Sequence, residues 1–215
     1  MKWAIVMVLY LLCLSSGCFA MSFSQPTTVG KIFVTPSSGT VIRGASYNSG
    51  QPIDTFQGEK TYRNGLAAWG NGDTALFFHY GSYPPKFGSK NINNAYPVKT
   101  WVDCEIIKIG TDSNISLYML RNSGSDISVI DFTLLGRRND GVWVKYFDTN
   151  TLIETYFWAN LNRKIRPIFS KFDVRNDTIS MSYGYYSNGG VSRTGEFRFK
   201  WDDKAQWFSV EQVVY

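Results

Sequence analysis

In Glu196-Phe197-Arg198-Phe199-Lys200-Trp201-Asp202, large aromatic and charged residues alternate without a break. A strand sends successive side chains to opposite faces, so Phe197, Phe199 and Trp201 share one face and the charges the other. A helix would scatter the same residues around its circumference. The segment therefore demands a sheet with one packed face and one wet face, and an apolar layer to lie against the packed one. Upstream, Ile179, Met181, Tyr183 and Tyr185 alternate with Ser180, Ser182 and Gly184. Ser187-Asn188-Gly189-Gly190 joins the two runs and carries the Asn-Gly hairpin signal. Beyond Asp202-Asp203-Lys204, residues Gln206 to Tyr215 read as a last strand. The C-terminal quarter is expected to be an antiparallel meander.

The middle of the chain continues the theme. Val98 to Ile109, Ile115 to Leu120, Ile127 to Leu135 and Val142 to Phe147 are rich in β-branched and aromatic residues, with Gly, Asn, Ser and Asp between them. Several are apolar on both faces, as strands covered on both sides would be. One stretch is ambiguous. Thr151 with Glu154 has capping-box spacing, and Ile153, Phe157 and Leu161 follow at helical spacing, but Leu152, Tyr156 and Trp158 also suit a strand. Lys31 to Thr35, Thr40 to Arg43 and Thr74 to Tyr80 are candidate strands of the N-terminal third. With 7 Trp, 13 Tyr and 15 Phe, the expected class is all-β or β-dominated. Antiparallel sheets would form a sandwich or an open barrel, with at most one or two short helices.

Residues 1–20 have a different character. Lys2 precedes an apolar run of twelve, Trp3 to Leu14, and Ser15-Ser16-Gly17-Cys18-Phe19-Ala20 forms a small-residue exit. That is the plan of a secretory signal, and the run is shorter than the roughly twenty residues a membrane anchor needs. Residues 1–20 are thus expected to be a signal peptide and 21–215 a single β-rich exported domain, with a sub-boundary, if there is one, in the proline-flanked 84–97 loop. Gly17-Cys18 resembles the end of a bacterial lipoprotein leader, in which the cysteine becomes the lipidated first residue. Ser15 stands where that pattern has Leu. Two addresses follow: periplasmic or secreted if the cut falls after Ala20, and membrane-anchored if Cys18 is lipidated.

Loss of the leader removes Cys13 and Cys18 and leaves Cys104 alone, so no intramolecular disulfide can form. About 195 residues can bury an adequate core without one. Alternation places Cys104 with Val102 and Ile106, flanked by Asp103 and Glu105, which reads as a buried and inert thiol. Lys2 is the only charge lost, so the body carries 21 basic against 17 acidic residues, net +4. The densest basic stretch, Arg163-Lys164-Ile165-Arg166 with Lys171 and Arg175, is interrupted by Asp173 and reads as a solvated face.

The chain lacks a Gly-x-Ser-x-Gly elbow and a phosphate-cradling glycine loop. One histidine, His79, and one cysteine cannot furnish a usual zinc site. No metal, cofactor or nucleic-acid partner is expected, and no catalytic residue is assigned. Asp103/Glu105 and Asp202/Asp203 are the acid pairs a hydrolase would need. Asn71-Gly72-Asp73-Thr74 and Asp148-Thr149-Asn150-Thr151 cluster oxygens without matching a calcium loop. The aromatics suggest a stacking surface: Tyr183, Tyr185 and Tyr186, or Trp143 and Trp158, with Arg193 bonding to hydroxyls. The leading expectation is a non-catalytic exported binding domain whose partner is an envelope protein or a glycan. A carbohydrate-binding module and a secreted hydrolase are the alternatives. Membrane contact is expected only if Cys18 is lipidated.

Overall fold

The computed structural model describes residues 21–33, 57–61, 67–71, 75–80, 95–100, 103–123, 130–158, 166–187 and 190–215. Residues 1–20 with Cys18, Thr40 to Arg43 and the first eleven residues of the 84–97 stretch lie outside them.

The described strands are β1 (Thr27–Phe33), β2 (Gln57–Thr61), β3 (Ala67–Asn71), β4 (Ala75–Tyr80), β5 (Ala95–Thr100), β6 (Asp103–Ile109), β7 (Ser116–Ser123), β8 (Ile130–Arg137), β9 (Trp143–Asp148), β10 (Ile168–Arg175), β11 (Thr178–Ser187), β12 (Gly190–Asp202) and β13 (Trp207–Val214). A short helix α1 (Thr149–Leu152) widens into a π-helical segment over Ile153–Trp158. The strands form three sheets, in the orders β1-β6-β7-β8-β9, β10-β11-β12-β13 and β2-β3-β4-β5. Among the described residues none of these sheets closes into a barrel, and they are β-dominated with one short helix.

The five-stranded sheet is the middle layer, and its sequence says why. Leu117, Tyr118, Met119 and Leu120 on β7 are all buried. Leu117 and Met119 join one core, Tyr118 and Leu120 the other. On β6, Ile107 and Ile109 go to the first core, Cys104 and Ile106 to the second. A strand apolar on both faces needs a cover on each, and here the two outer sheets supply it. The C-terminal sheet lies on one face, with Phe147 of β9 stacked on Phe199 of β12 at 3.9 Å and 11°. The N-terminal sheet lies on the other through Trp69, Leu76, Phe78 and Val98.

The C-terminal meander matches its sequence rung by rung. Phe197 and Phe199 are fully buried and Trp201 nearly so, while Lys200 on the opposite face is exposed. Ser187 pairs with Gly190, leaving two residues for the Asn188-Gly189 connection.

Other expectations need correction. Val98 to Ile109 is two strands: β5 belongs to the N-terminal sheet and β6 to the middle one, so the chain changes layer between Thr100 and Asp103. β5 pairs with β4 in parallel, unlike every other neighbouring pair described. It is the outer strand of its sheet among the described residues, the kind of position at which a proline such as Pro97 is tolerated. Because β4 and β5 are neighbours, the chain on either side of the 84–97 loop contributes to one sheet, and residues 95–97 are themselves strand. The helix begins earlier than the Thr151–Glu154 spacing indicated. Asp148 is its N-cap and accepts from Thr151 N–H at 2.8 Å, which makes Thr151 a residue of the first turn.

The edge of the middle sheet at β1 is closed by side chains. A bulge between Thr28 and Gly30 leaves Val29 out of register with β6. Its carbonyl accepts the Trp69 indole N–H at 3.1 Å, and the Lys31 N–H donates to Glu59 at 2.6 Å. Backbone groups that a bare edge would offer to another strand are thereby occupied from the neighbouring sheet.

Candidate functional site

Buried polar residues are the informative exceptions in a core. Four of the five among the described residues, Thr100, Asn122, Asp131 and Thr149, lie along one seam at an end of the middle sheet. Thr100 on β5 donates to Asn122 on β7 at 2.8 Å, and Asn122 is the register partner of Asp131 on β8. Asp131 accepts from the Thr149 hydroxyl at 2.9 Å and from Arg166 at 3.1 Å. Arg166 also reaches Asn150 at 3.2 Å. One polar line thus ties together the N-terminal sheet, the middle sheet, α1 and the segment entering β10. Its carboxylate, Asp131, is held by a guanidinium and a hydroxyl, an arrangement that fixes its position.

The acid pairs singled out by sequence are also engaged. Asp103 faces Lys31 at 3.7 Å, and Glu105 accepts from Thr28 at 2.7 Å and pairs with Arg121 at 3.4 Å. Asp202 caps the β12–β13 turn through the Lys204 and Ala205 N–H groups, while Asp203 holds the Trp201 indole N–H at 2.8 Å. Asp148 is occupied by Thr151 and Lys145. Burial alone would raise the Asp148 carboxyl, but Lys145 and the helix N–H outweigh it and hold it below its ordinary value. Among the described residues no three His, Cys, Asp or Glu groups gather as metal ligands would. Cys104 is fully buried, and burial, reinforced by the Asp103 charge, pushes its thiol far above the ordinary range. His79 lies on β4, paired with Lys99, in a different sheet from Cys104.

The aromatic candidates are partly assembled. Rungs Phe169–Tyr183, Tyr183–Gly195 and Gly195–Val214 run across the C-terminal sheet near one end. The π-helical segment packs there, its Phe157 ring meeting Tyr183 at 5.0 Å, Phe197 at 5.9 Å and Tyr185 at 6.4 Å. Phe157 is buried, whereas its neighbour Trp158 is 39% exposed. Inserting one residue per turn is what a π-helix does, and such segments recur at functional positions. Tyr185 is half-buried against this cluster and its hydroxyl is raised, chiefly by burial. Tyr183 is enclosed, 3% exposed, and its hydroxyl accepts from Gln212 at 3.0 Å, so its ring has no free face. Tyr186 and Arg193 hold register positions opposite Val191 and Gly184 in the adjoining hairpin. Trp143 is not part of this end. It sits on the other face of the middle sheet, 5.7 Å from Tyr118.

Two residues that sequence reading passed over complete the picture. Val214 is 71% exposed and Tyr215 62% exposed, and the Tyr215 N–H binds the Thr194 carbonyl at 2.9 Å, which places both at the same end as Trp158. β13 is an outer strand with a described neighbour only at β12. The signal available in the sequence was the final Val-Val-Tyr run, whose alternation carries apolar groups past the last core position.

No family model matches the chain, and neither a curated protein nor a solved structure matches it.

Proposed function

We propose that the protein is an exported, non-catalytic interaction domain that binds a protein partner at the Trp158–Tyr215 end of its C-terminal sheet. The observation that carries this reading is the coincidence at that end of exposed apolar groups, Trp158, Val214 and Tyr215, with the outer strand β13. An extended segment of a partner added to β13 would gain main-chain hydrogen bonds and place its side chains on the apolar rim. Export rests on the plan of residues 1–20. Lipidation of Cys18 would hold the same body on a membrane, and loss of membrane association in Cys18→Ser is the sign of it.

A photo-crosslinking residue at position 158 or 215 tests the binding surface against the same residue at Ser180, on the polar face. Adducts with an envelope protein at 158 and 215 but not at 180 support the reading. Equal adducts at all three, or none, contradict it.

A glycan ligand is the second reading, favoured by the exposed Trp158, which follows the Phe157 whose ring meets Tyr185. Flat rings of this kind stack on sugars. Retention on a glycan array that is lost in Trp158→Ala would replace the protein partner with a sugar.

A further inference from the structure

At one corner of the middle sheet, on the face turned toward the N-terminal sheet, two cations stand without an acid. The alternation that sends Cys104 and Ile106 to that face carries Lys108 with them, and the one that sends Leu135 there carries Arg137. Lys108 is the register partner of Tyr118, and Arg137 that of Ser116 on one side and Trp143 on the other. The two cations are therefore two strands and one row apart, with Cα atoms separated by about 12 Å and Ser116 and Tyr118 between them. Both side chains are long enough to close on one group there. Other charges of this corner are engaged, Lys145 with Asp148 and Arg138 with Asp140. Among the described residues neither Lys108 nor Arg137 has an ion-pair partner.

Arg137 carries a second mark. Its Nε is buried and has no acceptor within the protein. A buried donor left unpaired is costly, and a guanidinium is shaped to give two parallel bonds to a carboxylate, sulfate or phosphate. With no ion pair to anchor it, the side chain is free to turn and present Nε and Nη together. Neutral polar groups and an aromatic wall adjoin it. Asn71 Nδ2 donates to the Tyr118 hydroxyl at 3.3 Å, and Ser116 bonds the same hydroxyl. The Arg137 charge acts on that hydroxyl too, against the burial that raises it. The half-buried Trp143 ring lies 5.7 Å from that of Tyr118.

We propose that this corner binds an oxyanion, a carboxylate, sulfate or phosphate, forked by Arg137 and countered by Lys108. Two positive charges with no carboxylate paired to either select for negative charge, and the fork selects for a group with two oxygens in one plane. Trp143 and Tyr118 wall one side. The site lies on the opposite face of the middle sheet from the Trp158–Tyr215 end, so it stands or falls independently of what binds there.

The test titrates the full 215-residue chain, in neutral detergent at constant ionic strength, with sodium sulfate, phosphate and glucuronate. Tryptophan fluorescence is the readout, since Trp69 and Trp143 both pack on Tyr118. The expected result is a saturable change with at least one of the three anions. Its midpoint should move about tenfold upward in Arg137→Gln and about threefold in Lys108→Gln, and stay in place in Arg138→Gln. Circular dichroism checks that each variant is folded, and the exposed Lys108 carries the test if Arg137→Gln is not. Saturation by sulfate or phosphate identifies a free inorganic oxyanion as ligand. Saturation by glucuronate alone identifies a carboxylate borne on a sugar. A chain that none of the three saturates overturns the proposal, and so does a midpoint that moves in neither Arg137→Gln nor Lys108→Gln.

Discussion

Trp69 lies over Gly30 so closely that a Cβ on the glycine would stand 2.5 Å from the indole Cδ1. The same indole bonds the Val29 carbonyl exposed by the β1 bulge, so ring and glycine together lock the N-terminal sheet onto the edge of the middle one. Gly136 repeats the device on β8, where the Tyr146 ring covers the backbone. In both places a missing side chain makes room for an aromatic one.

Gly30→Ala must push Trp69 from its seat. Overpacking of this kind costs about 1–3 kcal/mol. Urea unfolding should show a lower midpoint with an unchanged slope, accompanied by altered tryptophan fluorescence. Trp69→Phe keeps most of the packing and loses the indole bond, and should cost about 1 kcal/mol.

Asp131→Ala removes the acceptor shared by Thr149 and Arg166 at the seam of the layers. Thr149 is fully buried, so its hydroxyl would be left unsatisfied, at a cost of about 1–3 kcal/mol. In a double-mutant cycle with Thr149→Val, the combined loss should be clearly smaller than the sum of the two single losses. Simple additivity would mean the seam is not one network.

Asp148 predicts a pH response with a definite sign. Its folded-state pKa is lowered, so its contribution is complete above the ordinary carboxylate value and disappears as the pH falls through that value toward the folded one. Stability measured from neutral pH down into the acid range should therefore fall less steeply in Asp148→Ala than in the parent. The variant should also be about 1 kcal/mol less stable at neutral pH through loss of the helix cap.

Cys104 predicts the opposite end of the scale. Its folded pKa is raised by burial, so the contribution is whole below the ordinary thiol value and is lost as the pH rises beyond it, because only the unfolded chain ionises. The native protein at pH 8 should resist a thiol reagent, and labelling should appear only with unfolding. Fast labelling of the native state would contradict a buried thiol.

Much of this fold was legible because period 2 survives in the strands that matter. Phe197, Phe199 and Trp201 pointed inward as their spacing required, and the doubly apolar β7 announced a sheet covered on both faces. β10 was hidden because a bulge between Phe169 and Lys171 breaks its alternation, so its basic residues stood out instead. β2 and β3 are short and rich in Gly, Ala and polar residues, and they owe their place to neighbours rather than to pattern. The Val98–Ile109 run looked continuous because β-propensity says nothing about which sheet a strand joins. At the candidate site, the alternation that set Tyr183 beside Met181 already pointed its ring into the core, while the exposure of Trp158 depends on a π-helical turn that spacing alone does not reveal.

The central claim is that the Trp158–Tyr215 end is where a partner binds, and retention on immobilised residues 21–215 tests it most directly. Solubilised envelope protein would be passed over the parent, over Trp158→Ala/Tyr215→Ala, and over a Ser180→Ala control, after circular dichroism has shown all three folded. The account predicts a species held by the parent and the control and reduced at least tenfold on the double variant. Equal retention by all three would contradict it.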